Sequence, residues 1–167
     1  MTNIIMFQGT GSGVGKSILA AGFCRMLTNR GFNVLPFKAQ NMALNSGVTP
    51  DGLEIGRAQI VQSEACRVLP DVRMNPILLK PQSAGVSQLI RMGKVINNCT
   101  AKEFYAMAEK NFEVVKKAFD SLKSEADWII MEGAGSPAEI NLQATDIVNM
   151  RMAEYAKAKV MIIGDID

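Results

Sequence analysis

The 167-residue sequence contains no histidine. This absence excludes Ser-His-Asp and Cys-His catalytic arrangements, histidine-based metal sites, and any histidine acting as a general acid or base. Catalysis by this chain must therefore use lysine, carboxylate and amide side chains, backbone groups and a hard cation. That set of groups suits phosphoryl transfer, which depends mainly on positioning and on charge neutralisation.

Cysteines, long apolar runs and like-charge clusters are also scarce. Cys24, Cys66 and Cys99 lie far apart without a CxxC pair, so we expect reduced core thiols rather than disulfides or zinc ligands. Apolar runs such as residues 160–163 are too short to span a bilayer, and no signal peptide is recognisable. Charges of both signs are interspersed around a net charge of +2, which gives no reason to expect binding to nucleic acid or membrane. These features predict a cytoplasmic protein.

Residues 9–17 read Gly-Thr-Gly-Ser-Gly-Val-Gly-Lys-Ser, which is typical of a phosphate-binding loop. Glycines allow the backbone N–H groups to surround phosphate oxygens, a lysine at position 16 can reach the β- and γ-phosphates, and the Ser17 hydroxyl can ligate Mg²⁺. The predicted nucleotide-binding residues are Thr10, Gly11, Ser12, Gly13, Val14, Gly15, Lys16 and Ser17. The loop therefore predicts binding of a nucleoside triphosphate with Mg²⁺.

The residues around this loop support the prediction. Residues 4–7 predict a short apolar strand before it, and residues 17–27 predict a helix after it, whose positive end would face the anion. The alternative is a flexible glycine turn followed by an incidental lysine, which this order of elements disfavours. The loop departs from the strict pattern, because Thr10 stands where that pattern has its first glycine and Gly9 lies one residue earlier.

The rest of the chain alternates predicted strands and helices. Further strands are predicted at 33–37, 87–92, 128–131 and 160–163, and helices at 53–69, 100–123 and 147–157. With 48% hydrophobic residues, this pattern predicts one α/β domain of the P-loop NTPase type, a three-layer sandwich with a mainly parallel sheet. Because the sequence stops just after a strand, without a covering helix, we expect a domain truncated at its C-terminus.

Two carboxylates are candidates for the metal site. Glu132 follows an apolar strand and precedes Gly133 and Gly135, so it can hold Mg²⁺ beside phosphate; the alternative is a solvated strand-end carboxylate. Asp51 is a second candidate. Its alternative is the N-cap of the helix starting near residue 53, with Glu54 completing a capping box, and this alternative is favoured.

Two further residues are expected at the ligand edge of the sheet. Lys38 ends a strand, where it could neutralise charge on a transferring phosphoryl group, although a solvated lysine is also common there. Asp146 precedes the predicted helix 147–157, so an N-cap role and a substrate-binding role are equally supported.

Together these motifs resemble the dethiobiotin synthetase-like branch of P-loop proteins. Within that branch, four segments closely resemble the cobyric acid synthase family: residues 36–45 (PFKAQNMALN), 49–59 (TPDGLEIGRAQ), 132–141 (EGAGSPAEIN) and 146–150 (DIVNM). The resemblance runs from Met6 to Asp167, and these long segments are much more specific than a P-loop alone.

The resemblance implies an ATP-dependent amide ligase of cobalamin biosynthesis. Such an enzyme uses ATP, Mg²⁺ and glutamine-derived ammonia to amidate peripheral carboxylates of adenosylcobyrinic acid a,c-diamide through an acyl phosphate. The ammonia would come from a glutaminase domain that is missing from this chain. The implied roles are catalysis for Lys16, Lys38 and Asp146, metal binding for Ser17, Glu132 and Asp51, and corrinoid binding for Asn41, Asn45 and Asp146.

Three alternatives remain open. A deviant P-loop ATPase switch of the partitioning or positioning type would carry a signature lysine where this chain has Thr10. A GTPase would carry an Asn-Lys-x-Asp segment, which the sequence lacks. Dethiobiotin synthetase and cobyrinic acid diamide synthase share the phosphate chemistry, and residues 38–45 favour cobyric acid synthase over them.

Overall fold

The computed structural model describes residues 2–83, 85–136 and 146–164. Its strands are β1 (Asn3–Gly9), β2 (Val34–Phe37), β3 (Gln40–Met42), β4 (Ser46–Val48), β5 (Glu54–Gly56), β6 (Ile77–Ser83), β7 (Val86–Arg91), β8 (Lys94–Thr100), β9 (Trp128–Glu132) and β10 (Lys159–Ile163). Its helices are α1 (Lys16–Asn29), α2 (Arg57–Cys66), α3 (Ala101–Ala106), α4 (Ala108–Lys123) and α5 (Met150–Ala156), with a 3₁₀ turn at Val72–Met74. Positions 137–141 of the third family-like segment, and 165–167 at the end of the chain, lie outside the described residues.

A parallel sheet places the predicted site residues at one edge. Its described strands follow the order β10-β1-β9-β2, and every pairing between them is parallel. Carboxyl ends of parallel strands lie at the same edge of a sheet, so the loop after β1, Glu132 at the end of β9 and Lys38 after β2 are brought together. Pro36, which cannot donate a backbone hydrogen bond, lies on β2 at the edge of the described sheet.

Apolar side chains cover both faces of the parallel sheet. On β9, Ile129 and Met131 point into a core shared with α4 and α5, whereas Ile130 points into a core shared with α1 and α2. This alternation explains why the strand reads as a continuous apolar run. The α/β fold with layers on both faces of a mainly parallel sheet is therefore confirmed.

The structure contains a second sheet, of which the sequence predicted only one strand, at residues 87–92. In the structure, β3 pairs in parallel with β6, and β6, β7 and β8 form an antiparallel meander. The pairing of β3 with β6 joins residues more than thirty positions apart, for example Gln40 opposite Ile77. Such a non-local pairing leaves no periodic signal in either short strand.

The predicted helix from residue 53 to 69 is wrong in its first part. Thr49 to Gly52 form a tight turn, in which the Gly52 N–H donates to the Thr49 carbonyl at 2.9 Å and Gly52 has a φ of 80°. This turn joins β4 to β5, and α2 begins only at Arg57, after an extended Gly56. Asp51 is therefore not a helix N-cap. The residues Pro50, Asp51 and Gly52 favour a turn, and here they form one in place of the helix start that the apparent capping box predicted.

Two other predicted helices have different bounds in the structure. The capping box of Thr100 and Glu103 is present, but the helix is interrupted at Met107, giving α3 and α4. Apolar side chains of α4, including Phe112 and Phe119, lie in the core. The predicted helix 147–157 begins at Met150 instead, because residues 146–149 form a turn before it.

The cysteines agree with the expectation from their spacing. Cys24, Cys66 and Cys99 are free and buried. Among the residues that the structure describes, no helix is both long and apolar enough to cross a membrane.

Candidate functional site

The loop after β1 presents backbone N–H groups to an open cavity. Gly13 and Gly15 have φ angles of 86° and 95°, values that glycine adopts without strain. Gly15 is the N-cap residue of α1, and no side chain caps the helix there. The unpaired N–H groups at the start of α1 therefore remain available, together with the positive end of the helix, for an anion.

Lys16 lies folded into this loop. Only 6% of the residue is exposed, and its Nζ donates to the carbonyl of Gly11 at 2.5 Å and to that of Gly135 at 3.3 Å. Burial and the neighbouring charge of Lys38 lower the pKa of Lys16, while Glu132 acts in the opposite direction. A phosphate group would replace these carbonyl contacts with stronger charge-assisted bonds.

Glu132 joins the predicted residues from three different segments. The Ser17 hydroxyl and the Lys38 ammonium each donate to its Oε1 at 2.8 Å. Glu132 and Lys38 are 2% and 7% exposed, so the pair is buried and is not the solvated strand-end arrangement of either alternative. The structure thus brings together Ser17, Lys38 and Glu132, which stand 21 to 115 positions apart in the sequence.

The donor chemistry of this cluster fits Mg²⁺. A hydroxyl and a carboxylate oxygen already lie within hydrogen-bond distance of each other, and oxygen atoms are the ligands that Mg²⁺ prefers. Within the described ranges, no group of three or more His, Cys, Asp or Glu side chains could hold a metal. Mg²⁺ commonly binds through one or two protein ligands together with water and substrate phosphates, so Ser17 and Glu132 are sufficient protein ligands for such a site.

A cavity of about 650 Å³ opens in front of the loop. Most of the site residues that the sequence predicted line this cavity. Those residues are Ser12, Gly13, Gly15, Lys16, Ser17, Lys38, Asn41, Glu132 and Asp146. The phosphate side, the metal side and the predicted substrate side therefore share one space.

Five predicted residues are not among those that line the cavity: Thr10, Gly11 and Val14 of the loop, together with Asp51 and Asn45. Asp51 lies in the exposed β4–β5 turn, where its carboxylate accepts a hydrogen bond from the Thr49 hydroxyl at 2.6 Å. Asn45 is exposed, and its carbonyl accepts from the Arg57 N–H at 3.3 Å. The structure brings neither side chain to Glu132.

Asp146 combines features of both roles considered from the sequence. Its Oδ1 accepts from the N–H groups of Val148 and Asn149 at 2.8 and 3.0 Å, which is the bonding pattern of a cap. The turn that it closes precedes α5 and is not part of it, so Asp146 is not the N-cap of the helix. The residue also lines the cavity, so it is not confined to the turn.

Asn149 is a functional candidate that sequence reasoning missed. Its side chain is buried, donates to the Ala134 carbonyl at 2.9 Å and accepts from the Ala134 N–H at 3.1 Å. A Cβ atom on Gly133 would lie 2.4 Å from the Asn149 Oδ1. The strand-end glycine is therefore required by this close approach, which fixes the segment after β9 against the turn of Asp146.

The cavity continues into a smaller apolar one. This second cavity, of about 290 Å³, lies between α3 and the meander. Both cavities are lined by Gln40, Met42, Phe104 and Tyr105. The sequence does not reveal the cavity-facing side of Phe104, because a side chain that packs on one side and faces a cavity on the other has the same helical spacing as a fully buried one.

The sequence matches the family described as "CobQ/CobB/MinD/ParA nucleotide binding domain" over residues 5–164. Curated relatives include a cobyric acid synthase of Nitratidesulfovibrio vulgaris, 57% identical over 99% of this chain and 31% of its own length. A cobyric acid synthase of Ruminiclostridium cellulolyticum is 57% identical over 100% of this chain and 32% of its own length. The adenosylcobalamin biosynthesis bifunctional protein CobDQ of Leptospira interrogans is 58% identical over 99% of this chain and 19% of its own length. The chain thus spans a third or less of the length of these relatives.

Among solved structures, the signal recognition particle receptor FtsY of Elizabethkingia anophelis, in complex with GDP, has a similar fold. It superimposes with a TM-score of 0.52 at 17% identity, covering 97% of this chain and 40% of the receptor chain. At this identity the likeness concerns the fold alone.

Proposed function

Because the chain belongs to the CobQ/CobB/MinD/ParA nucleotide-binding domain family, we propose that it binds ATP with Mg²⁺ and supplies the synthetase part of a cobyric acid synthase. The proposed reaction amidates peripheral carboxylates of adenosylcobyrinic acid a,c-diamide in cobalamin biosynthesis. The relatives named cobyric acid synthase, 57% identical to the chain, support this substrate class.

The observation that carries the proposal is the position of Lys38. Its ammonium bonds to Glu132 and lines the same cavity as Lys16. A carboxylate and the γ-phosphoryl group of ATP are both negative, so their approach requires positive charge from more than one side. Lys16 on the loop after β1 and Lys38 after β2, on the other side of β9, provide it from two directions.

The proposed chemistry has two steps. A substrate carboxylate oxygen attacks the γ-phosphorus, the bond to the β–γ bridging oxygen breaks, and ADP leaves. Ammonia then attacks the acyl carbon, loses a proton, and displaces inorganic phosphate to leave the amide. Lys16 and the loop N–H groups hold the phosphates, and Lys38 offsets charge where carboxylate and phosphoryl group meet. Mg²⁺, held by Ser17 and Glu132, would supply further charge neutralisation at the phosphates.

The proposed substrate position follows from the two cavities. Asn41 and Asp146 offer polar groups among the residues that line the larger cavity. The amide and carboxylate arms of a corrinoid can bond to such groups, while an edge of its apolar ring lies against Met42 and Tyr105, where the smaller cavity begins. Asp51 and Asn45 are not needed in this arrangement.

The proposed source of ammonia is a glutaminase domain outside this chain. No Cys-His pair is possible in a sequence without histidine, so a Cys-His glutaminase cannot lie within these residues. The greater length of the relatives is compatible with such a domain.

The test is an amidation assay on the intact protein with ATP, Mg²⁺, ammonium and a corrinoid diamide. We expect amide formation in parallel with release of ADP and phosphate, and strong loss of amide formation in Lys38→Met with nucleotide still bound. Lys94→Met, on the exposed strand β8, is the matched control and should behave as wild type. ATP hydrolysis that proceeds without amide formation would favour the ATPase-switch alternative instead.

A further inference from the structure

Gln59 and Gln62 place two amides inside the protein on helix α2. They are 0% and 1% exposed, and their spacing of three residues puts them on one face of the helix. Burial of an amide is costly unless its polar atoms are hydrogen-bonded. Both side chains are therefore expected to serve a specific set of bonds.

These bonds form a chain that ends on Glu132. The Gln62 Nε2 donates to the Glu132 Oε2 at 2.7 Å, and the Gln62 Oε1 accepts from the Gln59 Nε2 at 3.4 Å. The Gln59 Oε1 in turn accepts from the Asn41 Nδ2 at 3.4 Å. A single row of side-chain amides thus connects Asn41, which lines the cavity, to the carboxylate beside Ser17.

The direction of this chain is fixed by the chemistry of its end. An ionised carboxylate only accepts hydrogen bonds, so Gln62 must turn its NH₂ group towards Glu132. Its carbonyl oxygen then faces Gln59, which must donate in the same sense. Every donor in the row therefore points towards Glu132, and bonds aligned in this way polarise one another.

The two oxygens of Glu132 have separate tasks. Ser17 and Lys38 both bond to Oε1, whereas Gln62 bonds to Oε2. The bond to Oε2 fixes the rotation of the carboxylate about its last torsion angle. With the rotation fixed, Oε1 stays directed at Ser17, where the proposed metal site lies.

The backbone leaves room for this arrangement. A Cβ atom on Gly56 would lie 2.7 Å from the Asn41 Nδ2 and 2.9 Å from the Gln59 Oε1. Gly56 has an ordinary extended conformation, with a φ of −62°. Its lack of a side chain is therefore explained by the converging amides and not by backbone strain.

We propose that Gln62 is a positioning residue for Glu132, and that Gln59 and Asn41 complete a relay which links the substrate side of the cavity to the metal side. This inference rests on the proposed function, because it assigns the relay to the Mg²⁺–nucleotide site. A positioning partner of a metal ligand typically changes metal affinity 10- to 100-fold when it is removed.

The test compares binding of a fluorescent ATP analogue with and without Mg²⁺. Gln62→Met keeps a similar volume but removes the donor, so Mg²⁺-supported binding should weaken about 10-fold while Mg²⁺-free binding stays as in wild type. Gln59→Met should give a smaller weakening of the same kind. Val61→Met introduces the same residue at an exposed position of the helix, where Val61 is 43% exposed, and should change neither measurement.

Glu132→Gln separates the possible failures. If Glu132→Gln loses Mg²⁺ dependence while Gln62→Met retains it, the relay is wrong and the proposed metal site stands. If wild type shows no Mg²⁺ dependence, the proposed metal site fails and the relay fails with it. If Gln62→Met weakened binding of the ATP analogue equally with and without Mg²⁺, Gln62 would have a structural role and the proposal would be overturned. Should Gln62→Met not fold, unchanged Mg²⁺ dependence in Gln59→Met would overturn it.

Discussion

The two main sheets of this protein contribute differently to the two adjoining cavities. The parallel sheet β10-β1-β9-β2 is covered on both faces along its central strands β1 and β9, and its polar groups lie where its strands end. The sheet β3-β6-β7-β8 is mostly antiparallel, its outer strand β8 is largely exposed, and it supplies walls of the smaller cavity through Met42, Leu79 and Val86.

This difference suggests a division of tasks. Groups that would contact phosphate and metal, including Lys16 and Glu132, depend on the parallel sheet. Side chains of the meander β6-β7-β8 form part of the wall of the smaller cavity next to them. Replacements at the ends of the parallel strands should therefore change ligand binding more than folding stability, and replacements inside the meander should do the opposite.

The largest effect is expected from Lys16→Ala, at the end of the parallel sheet. Lys16 bonds only to the Gly11 and Gly135 carbonyls among the residues described, so the fold should tolerate its loss. Loss of charge-assisted bonds to phosphate should weaken ATP binding about 100-fold. Calorimetric titration measures the affinity, with Lys94→Ala on β8 as the control. An unchanged ATP affinity in folded Lys16→Ala would refute the phosphate site.

Leu89→Ala tests the opposite half of the comparison. Leu89 is fully buried in the centre of β7, and truncation of a buried leucine costs about 3 kcal/mol of unfolding free energy. Chemical denaturation should show this loss, while ATP affinity per folded molecule stays normal. Val95→Ala, at an exposed position of the neighbouring strand, should change stability by less than about 0.5 kcal/mol. If Leu89→Ala weakened ATP binding in the folded fraction, the two sheets would not act separately.

Asp146→Asn distinguishes the turn from the substrate contact. An asparagine oxygen can still accept from the N–H groups of Val148 and Asn149, so the turn should persist, but the charge facing the cavity is lost. We expect corrinoid amidation by the intact protein to fall about 10-fold, with ATP affinity near normal. Lower thermal stability with normal turnover per folded molecule would assign Asp146 to the turn alone.

The smallest effect concerns the ion pair of Glu54 with Lys80, which joins β5 to β6 at 2.7 Å. Burial raises the pKa of Glu54, but bonds from Lys80 and Ser46 outweigh burial, so its pKa lies below the usual value. A carboxyl group with a lowered folded pKa stabilises the protein above its unfolded pKa, and this contribution is lost as the pH falls through the folded pKa.

We therefore expect Lys80→Met to be less stable than wild type at neutral pH by less than about 1 kcal/mol. The difference should shrink as the pH falls below about 4.3, the ordinary pKa of glutamate. Thermal unfolding across this range is the measurement, and Lys94→Met, which carries no ion pair among the described contacts, is the control. A difference independent of pH would assign the loss to packing of the lysine stem.

Motifs with a local cause were predictable. The loop at residues 9–17 needs particular residue types in a fixed order, and the apolar strands β1 and β9 are continuous runs because both faces of the sheet are covered there. Glu132 and Lys38 were found because a strand end is visible in the sequence. The β4–β5 turn was missed because Pro50-Asp51-Gly52 fits both a capping motif and a turn, and the choice depends on pairing with residues 46–48.

The row of amides formed by Asn41, Gln59 and Gln62, by contrast, could not be predicted from local sequence. A polar pair at positions 59 and 62 looks like the solvated face of a helix until the packing of α2 shows that both residues are buried. The local order of residues thus specifies the phosphate loop, the covered strands and the carboxylate at the end of β9, since each follows from nearby chemistry. Packing between distant segments sets the partners of Glu132, the exclusion of Asp51 and the shared cavity, since these depend on contacts that no single segment contains.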